Sequence, residues 1–332
     1  MTSSPDNPRQ TITDPLVAHQ NPAMRALNAV ATTALAPVER SLARAAASDE
    51  PSVCFILGPP RSGTTLLYEL MTEEFGCAYF SNFAKRLYRT PVAATWLAQR
   101  AIRRRRGSYE SDYGTIPGAL APAEAGRIWR HWMPDAAPYF QDRPGLSDDE
   151  IRARIAAMAR IARAPMLVKY LSLQSEIPRL LRLFPRAVFL RVDRDLAENA
   201  RSIFRGRQKM PAMHATGWWS SHPLGWQDYA KADLLTQSVA HVLLAHREIV
   251  RDLAAEGAGD RVLRIGYGDL CSRPNAELDR VRDFLTANGM TLRPRKTDLP
   301  AFEPSRKSRL GDADEARLEH LVTELPDRIG LS

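Results

Sequence analysis

The feature that most constrains this chain is an apolar segment followed at once by a glycine-containing loop and a helical pattern. Residues 53–57 read VCFIL and residues 58–63 read GPPRSG. A short apolar run bounded by turn residues is typical of a buried strand in a parallel sheet. From Ser62 onward, apolar residues recur at the spacing of a helix. The segment therefore predicts a strand, a loop and a helix in direct succession.

This succession predicts a site for a phosphate group. The backbone N–H groups of a glycine loop and the positive end of the following helix dipole meet at one point, where an anion is stabilised. The hydroxyls of Ser62, Thr64 and Thr65 supply further hydrogen-bond donors. The sequence thus indicates a phosphate cradle at residues 58–65.

The loop has the glycine spacing of a Walker nucleotide-binding loop but lacks its lysine. Gly58 and Gly63 have the required separation, whereas Thr64 occupies the lysine position. Arg61 is the one cation in the loop. A kinase of this type would lack the ammonium that reaches the β- and γ-phosphates, unless Arg61 replaced it.

A second pair of candidate anion ligands follows the strand predicted at 187–192. Arg194 stands where this strand ends, and Ser202 lies two turns into the helix predicted to begin near Leu196. In doubly wound folds, ligands bind at the carboxyl edge of the sheet, where these two side chains can converge on one anion. The alternative is a surface arginine and a helix serine that share no partner.

Strand and helix patterns alternate along the chain. Further strands are predicted at 77–80, 166–169 and 261–265, and further helices at 91–106, 123–132, 147–163, 180–184, 226–255 and 274–287. A leading helix from Met24 is expected to break or bend near Pro37. Alternation of this kind implies an α/β fold whose parallel sheet has right-handed crossovers.

Composition narrows the classes of function without choosing among them. The 332 residues carry a net charge of +8, which suits an anionic ligand, nucleic acid or an acidic membrane surface. Aromatic residues do not interleave with the arginine run 103–106, as a single-strand binding surface requires. The three cysteines form no CxxC pair, no apolar run could span a bilayer, and the N-terminus does not read as a secretory signal. The cytoplasm is the predicted compartment.

Three motifs in this order resemble those of sulfotransferases that use 3′-phosphoadenosine 5′-phosphosulfate (PAPS). Residues 60–65 read PRSGTT and resemble the family pattern P-(K/R)-(S/G)-G-T-T. Arg194 and Ser202 have the spacing of the family's ligands for the 3′-phosphate. The segment YGDL at 267–270 resembles the family's Y-E-D-L, with Gly268 in place of the usual glutamate. The resemblance spans about residues 53–285 and is strongest to bacterial members.

The resemblance implies a fold, a donor and a set of binding residues. The fold is a three-layer, P-loop-like parallel sheet flanked by helices, with helical insertions that form the acceptor side. The implied PAPS-binding residues are Arg61, Ser62, Gly63, Thr64, Thr65, Arg194, Ser202 and Tyr267. Among these, Arg61 would be the cation for the leaving phosphate, and Tyr267 would lie near the adenine ring. No metal is required.

The general base is expected on the acceptor side. Many eukaryotic cytosolic sulfotransferases have K-T-H where this chain has Lys169, Tyr170 and Leu171, so the lysine remains but the histidine does not. Glu124 is therefore the candidate base, with His131 in reserve. Lys169 would contact the transferring sulfonate. Helix-terminal, packing and strand-end roles are the respective alternatives for Glu124, His131 and Lys169.

These assignments divide the chain into three parts. Residues 1–50 form a polar segment with the leading helix, and residues 51–290 form the catalytic domain, with an insertion at about 82–163. Residues 291–332 form a basic segment with a short helix. Within it, the run 305–309 either reaches the phosphates of the donor or is a solvated tail.

Several functional questions stay open on the sequence. The acceptor could be a carbohydrate, a lipid or a small metabolite, and it could react through a hydroxyl or an amine. Five tryptophans either line its pocket or pack in the core, namely Trp129, Trp132, Trp218, Trp219 and Trp226. The rival functions are a nucleotide-dependent kinase that holds Mg²⁺ through Asp193 or Asp195, and a basic protein that binds nucleic acid or acidic membranes. We expect no nucleic acid partner and no transmembrane segment.

Overall fold

A four-stranded sheet forms the centre of the computed structural model, which describes residues 22–102, 116–134, 145–209, 218–295, 297–304 and 310–331. The strands are β1 (Val53–Leu57), β2 (Met166–Lys169), β3 (Val188–Asp193) and β4 (Val262–Gly266). Their order is β2-β1-β3-β4, and each pair of neighbours is parallel. Helices cover this sheet. They are α1 (Pro22–Ala45), α2 (Thr64–Glu74), α3 (Asn82–Arg86), α4 (Pro91–Ile102), α5 (Gly126–Trp132), α6 (Asp148–Ala162), α7 (Ile177–Leu183), α8 (Leu196–Lys209), α9 (Leu234–Ala255), α10 (Tyr267–Ser272), α11 (Pro274–Ala287) and α12 (Asp312–Ile329).

The sheet is covered on both faces. In β1, Val53, Phe55 and Leu57 belong to one apolar cluster, together with side chains of α5, α6 and α7. Cys54 and Ile56 belong to a second cluster, with side chains of α2, α10 and α11. All five strand residues are buried, as expected for a central strand between two helical layers. The predicted α/β class, with a parallel sheet flanked by helices, is confirmed.

The strand order places a crevice between β1 and β3. The strand that follows β1 in sequence, β2, lies toward one edge of the sheet. The strand that follows β3, β4, lies toward the opposite edge. The segments that follow β1 and β3 therefore diverge, and this switch point at the carboxyl edge is where ligands bind in such folds. The loop 58–63 and Arg194 both follow strands at this point.

Two predicted elements begin later than the sequence pattern suggests. The helix predicted at 226–255 begins at Leu234, because the carboxylate of Asp233 accepts hydrogen bonds from the N–H groups of Leu235 and Thr236. The helix predicted from residue 123 begins at Gly126, because Ala125 has a left-handed backbone with φ 57°. In the first case a side-chain cap and in the second a left-handed residue determines where the helix begins, although the apolar periodicity starts earlier in the sequence.

Two further predictions were wrong in detail. The segment 77–80 is not a strand, since its pairing with β2 is a single bridge between Ala78 and Met166. The break predicted at Pro37 does not occur, since α1 runs through the proline, whereas a bend at that residue stays a prediction. Shortly after the proline, the buried Glu39 accepts a hydrogen bond from the N–H of Ala93 at 2.8 Å and lies 3.5 Å from Arg154. These contacts fasten α1 to α4 and α6 and offset the backbone hydrogen bond that proline removes.

The remaining sequence predictions concern membrane spans, disulfides, segments outside the described residues, domain boundaries and cellular location. Within the described ranges, no helix is long and apolar enough to cross a membrane. The three cysteines are buried and form no disulfide. The arginine run 103–106, most of the loop predicted at 108–122 and the basic run 305–309 lie outside the described residues. The domain boundaries and the cytoplasmic location stay predictions.

Candidate active site

The loop after β1 needs glycine at both ends. A Cβ added to Gly58, which has φ +147°, would lie 2.7 Å from the carbonyl oxygen of Val192. A Cβ added to Gly63, which has φ +106°, would lie 2.3 Å from Cδ2 of Tyr267. Both positions therefore combine a left-handed backbone with a close neighbour, so only glycine fits without strain. Gly63 also precedes the first residue of α2, whose N-terminal N–H groups face the loop.

One hydroxyl in the loop is buried and has no hydrogen-bond partner among the described residues. This group is Oγ of Ser62, whose side chain is fully buried. Leaving a buried hydroxyl unpaired costs about 1–3 kcal/mol, so such groups in native structures usually have a partner or a function. A phosphate in the loop would supply the missing acceptor, which supports the predicted phosphate cradle.

Three hydrogen bonds join the loop to Arg194 and to helix α8. Asn199 donates from Nδ2 to the carbonyl oxygen of Pro60 at 2.7 Å. Arg194 donates from Nη1 to the carbonyl oxygen of Arg61 at 3.1 Å. In the opposite direction, Nε of Arg61 donates to Oγ of Ser202 at 3.4 Å. The loop and the Arg194–Ser202 pair are thus in contact at the carboxyl edge of the sheet, and their binding of one ligand stays a prediction.

The side chain of Arg61 points toward Ser202, which the sequence assigned to a different phosphate. Arg61 has a left-handed backbone, with φ 67°. This conformation is uncommon outside glycine and asparagine, and it occurs where the surrounding structure enforces it. The left-handed backbone of Arg61 therefore accompanies a side chain that is held beside Ser202.

Tyr267 fills the space between Gly63 and Arg194. Its ring lies against Gly63, and the guanidinium of Arg194 lies over the ring at 4.5 Å from the centroid. The guanidinium is also held by its hydrogen bond to the carbonyl oxygen of Arg61 and by an ion pair with Glu198 at 3.5 Å, so its orientation is fixed. The departure from the family pattern at Gly268 has little effect on this packing, because a Cβ at Gly268 would meet nothing within 4 Å.

The effect of replacing Gly63 on the stability of the protein can be predicted without a ligand. Gly63→Ala is expected to lower the free energy of unfolding by about 1–3 kcal/mol or more, because alanine strains the backbone and displaces the ring of Tyr267. Gly268→Ala is the matched control, since its added methyl meets open space and it is expected to leave stability unchanged or slightly raised. Urea denaturation measures both. Equal stability of the two variants would contradict the packing described here.

A lysine, a threonine and a glutamate meet on the other side of the loop. Lys169, at the end of β2, is 2% exposed, and its Nζ donates to Oγ1 of Thr65 at 3.1 Å. The same Nζ forms an ion pair with Oε1 of Glu124. The carboxylate of Glu124 is itself 32% exposed, so it reaches both the buried lysine and the open cleft. A carboxylate in this position can accept a proton from a molecule in the cleft.

The backbone on either side of Glu124 is firmly held. The N–H of Ala123 donates to the carbonyl oxygen of Phe80 at 2.7 Å, and the hydroxyl of Tyr68 donates to the carbonyl oxygen of Ala123 at 3.3 Å. Burial, with smaller contributions from Tyr79 and Glu124, raises the pKa of Tyr68 well above its usual value, so its hydroxyl keeps its proton. Ala125 follows in a left-handed conformation. Glu124 is thereby positioned by contacts that its own sequence neighbourhood does not reveal.

These groups open into a cleft of about 510 Å³. Eight of the predicted site residues line it, namely Arg61, Gly63, Thr64, Thr65, Glu124, Lys169, Arg194 and Tyr267. Ser62 and Ser202 are buried beside it.

The cleft is lined mainly by positive charge. Among the described residues that line the cleft, six are cations and one, Glu124, is a carboxylate. The cations are Arg61, Lys85, Arg127, Arg130, Lys169 and Arg194. The cleft is therefore suited to anions.

Other residues considered on the sequence lie elsewhere. His131 packs edge-on against Tyr88, with 5.5 Å between ring centroids, and it is not among the described residues that line the cleft. Trp129 and Trp132 pack in the core against Phe80. Of the five tryptophans that the sequence singled out, Trp219 is the one that lines the cleft. Of the two residues considered as the base, Glu124 is therefore the one that lines the cleft.

The two aspartates considered for a magnesium ion have other roles. The carboxylate of Asp193 accepts hydrogen bonds from Arg191 and Arg264. Burial alone would raise its pKa, but these bonds and the nearby positive charges hold the pKa below its usual value. Asp195 accepts a hydrogen bond from the N–H of Glu198 at the start of α8. Neither aspartate lines the cleft among the described residues.

Sequence reasoning missed the residues that hold the site together. Asn199 and Tyr68 bind backbone carbonyl groups on segments that are distant in sequence. An asparagine in a helix and a tyrosine in an apolar helix face are ordinary residues, so no local pattern distinguishes them. Arg127 and Arg130, on the short helix after Glu124, were also missed as lining residues. Their spacing of three on one helix was the available signal.

Among the comparisons with known proteins, one family model matches most of the chain. A family model described as the sulfotransferase family matches residues 53–289, which is well over half of the chain. A search of curated proteins found no match. Sulfotransferase STF9 from Mycobacterium avium is 17% identical, with 83% of this chain and 68% of that one covered and a TM-score of 0.46. The sulfotransferase domain from the curacin biosynthetic pathway is 18% identical, with 71% and 74% covered and a TM-score of 0.42. The sulfotransferase domain of the Synechococcus PCC 7002 olefin synthase is 17% identical, with 83% and 95% covered and a TM-score of 0.43.

Proposed function

The chain belongs to the sulfotransferase family, and from that premise we propose that it transfers a sulfonate group from PAPS to a hydroxyl or amine of an acceptor. The observation that carries the choice of donor is the contact between two segments that we propose as anion-binding positions. The loop 58–65 supplies the first, and the pair Arg194 and Ser202 supplies the second. A donor with phosphates at both its 3′ and 5′ positions needs two such positions.

The residues of the cradle fit the proposed donor. The unpaired hydroxyl of Ser62 and the N-terminal N–H groups of α2 are donors for the 5′-phosphosulfate. Arg194, held over the ring of Tyr267, is a cation for the 3′-phosphate. Tyr267 is 7% exposed. One face of its ring packs against Arg194, and its exposed edge is the part proposed to contact the adenine.

The proposed reaction moves SO₃ between two oxygens, or from oxygen to nitrogen. The acceptor atom attacks the sulfur, the bond from sulfur to the bridging oxygen of the 5′-phosphate breaks, and the electron pair stays on that phosphate oxygen. The proton of the acceptor passes to the carboxylate of Glu124, which faces the cleft beside Lys169. The products are a sulfated acceptor, 3′-phosphoadenosine 5′-phosphate (PAP) and a proton.

Two cations are proposed to stabilise the charge that develops during transfer. Arg61 is fixed by its backbone between the two phosphate positions, and its guanidinium can fork two phosphate oxygens. Lys169 lies next to Thr65 and Glu124, where it can contact the sulfonate while that group moves toward the acceptor. Fixed charges in a partly desolvated site need no reorganisation during the reaction, so they lower its barrier.

The kinase alternative fits the site less well. Thr64 stands at the position of the Walker lysine, and Asp193 and Asp195 are engaged by arginines and by a helix N-terminus. A double-label experiment separates the two functions. The protein is incubated with PAPS labelled with ³⁵S and with ATP–Mg²⁺ labelled with ³²P at the γ position, in the presence of a panel of carbohydrates, lipids and phenols. Transfer of ³⁵S with release of PAP is expected. Transfer of ³²P instead would contradict the proposal.

A further inference from the structure

We propose that the acceptor is an anion, which carries a carboxylate, phosphate or sulfate group in addition to the hydroxyl or amine that receives the sulfonate. This inference rests on the proposed function. It is carried by three cations at the end of the cleft that the donor does not occupy, Lys85, Arg127 and Arg130.

The strand order fixes the direction of the cleft. Tyr267 follows β4, Arg194 follows β3, the loop 58–63 follows β1, and Lys169 ends β2. Because the sheet order is β2-β1-β3-β4, the proposed 3′-phosphate and adenine positions lie at the β3–β4 side. The proposed sulfonate position, beside Lys169, lies at the β2 side. The acceptor must therefore approach from beyond β2.

The three cations stand on helices in that region. The segment before α3 passes along β2, through the bridge between Ala78 and Met166, and α3 then carries Lys85. Helix α5, which follows Glu124 directly, carries Arg127 and Arg130. All three side chains are half-buried and line the cleft. They are thus neighbours of the proposed base and not of the nucleotide.

Aromatic residues hold both arginines in place. The guanidinium of Arg127 lies over the ring of Tyr88 at 4.5 Å from its centroid. Arg130 donates from Nη1 to the hydroxyl of Tyr170 at 3.3 Å. A Cβ added to Gly126 would lie 2.9 Å from the ring of Tyr170 and 3.1 Å from Nη1 of Arg130, so the absence of a side chain there allows this contact. Arginines oriented in this way lose little freedom when they bind an anion.

Among the described residues that line this end, cations outnumber carboxylates. Glu124 is the one carboxylate in the lining, and it is paired with Lys169. No described carboxylate forms an ion pair with Arg127. Partly buried cations favour an anionic partner, since they have given up some of their hydration. A carboxylate, phosphate or sulfate group on the acceptor would make charge-assisted hydrogen bonds with these cations, which a neutral acceptor cannot make.

The inference is tested by calorimetry on protein saturated with PAP, so that the donor site cannot bind the probe. The probes are glycerol 3-phosphate and glucuronate, each compared with its uncharged counterpart, glycerol or glucose. The proteins are the wild type, the double variant Arg127→Gln/Arg130→Gln, and a control variant, Arg86→Gln, whose arginine is exposed and outside the cleft lining. At least one anionic probe is expected to bind the wild type and the control more tightly than its neutral counterpart. Its affinity is expected to fall by about 10- to 100-fold in the double variant.

Unchanged PAP affinity in all three proteins shows that the variants are folded. The inference is overturned if PAP-loaded wild type binds neither anion, if it binds the neutral compounds equally well, or if anion binding is the same in the double variant. Binding that survives in the double variant would place the anion at the sulfonate position beside Lys169. Failure of PAP itself to bind would overturn the proposed function, and the inference with it, so the two failures are distinguishable.

Discussion

Glu124→Gln is expected to lower turnover by about 10²- to 10⁴-fold, because glutamine cannot take the proton of the acceptor. The substitution keeps an oxygen that can accept a hydrogen bond from Lys169, so the local structure should persist. The affinity for PAP is expected to stay unchanged, since Glu124 lies on the acceptor side of the loop. Initial rates with saturating PAPS, together with calorimetric titration of PAP, measure the two quantities.

The same pair of measurements separates a catalytic role of Glu124 from a structural one. If the carboxylate only anchored Lys169, the variant would bind PAP more weakly or unfold at a lower temperature, and turnover would fall in proportion. A variant that retains wild-type turnover would remove Glu124 from the mechanism. In that case Lys169 and Thr65 would remain as groups that bind the sulfonate, and the base would have to be sought elsewhere.

Arg61→Gln is expected to lower the turnover number by about 10²- to 10³-fold at saturating PAPS, the usual loss when a fixed donor to a developing charge is removed. The affinity for PAP is also expected to fall, because Nε of Arg61 lies 3.4 Å from Ser202 and thus near the proposed 3′-phosphate. Arg61→Lys is the matched control. It keeps the positive charge but not the fork, and the family pattern of the loop accepts it, so it should retain more activity than Arg61→Gln.

The turnover and the PAP affinity of Arg61→Gln together show which phosphate Arg61 acts on. Loss of turnover at saturating donor means that Arg61 acts on the leaving phosphate. A variant with reduced PAP affinity but normal turnover would contradict that role and place Arg61 on the 3′-phosphate alone. Because arginine, glutamine and lysine at this position face the same left-handed backbone, a difference between the variants reports on the side chain.

Local patterns were enough to predict the centre of the fold and the segments that meet at the carboxyl edge of the sheet. The apolar run at 53–57 predicted the central strand, and the loop, Arg194 and Ser202 meet at the carboxyl edge because parallel strands end there. These residues can be recognised because backbone geometry and residue type are both local. The start of α9 was harder to place, since the cap at Asp233 is a single residue within a longer apolar pattern.

The acceptor side could not be predicted to the same extent, because it is built from contacts between distant segments. Glu124 is positioned through Tyr68 and Phe80, and the cations Arg127 and Arg130 are oriented by Tyr88 and Tyr170. No sequence spacing relates these residues. The tryptophans illustrate the same limit, since Trp129 and Trp219 have similar burial, and only the fold shows that the second lines the cleft.

The most direct test of the central claim is the preference of the site for a 3′-phosphate. Calorimetric affinities for PAP and 5′-AMP are measured with the wild type and with Arg194→Gln. The wild type is expected to bind PAP more tightly than 5′-AMP, and Arg194→Gln is expected to reduce that preference by about 10- to 100-fold through loss of charge-assisted hydrogen bonds. Equal affinities for PAP and 5′-AMP in the wild type, or a preference that Arg194→Gln leaves intact, would contradict the proposal that this site binds PAPS.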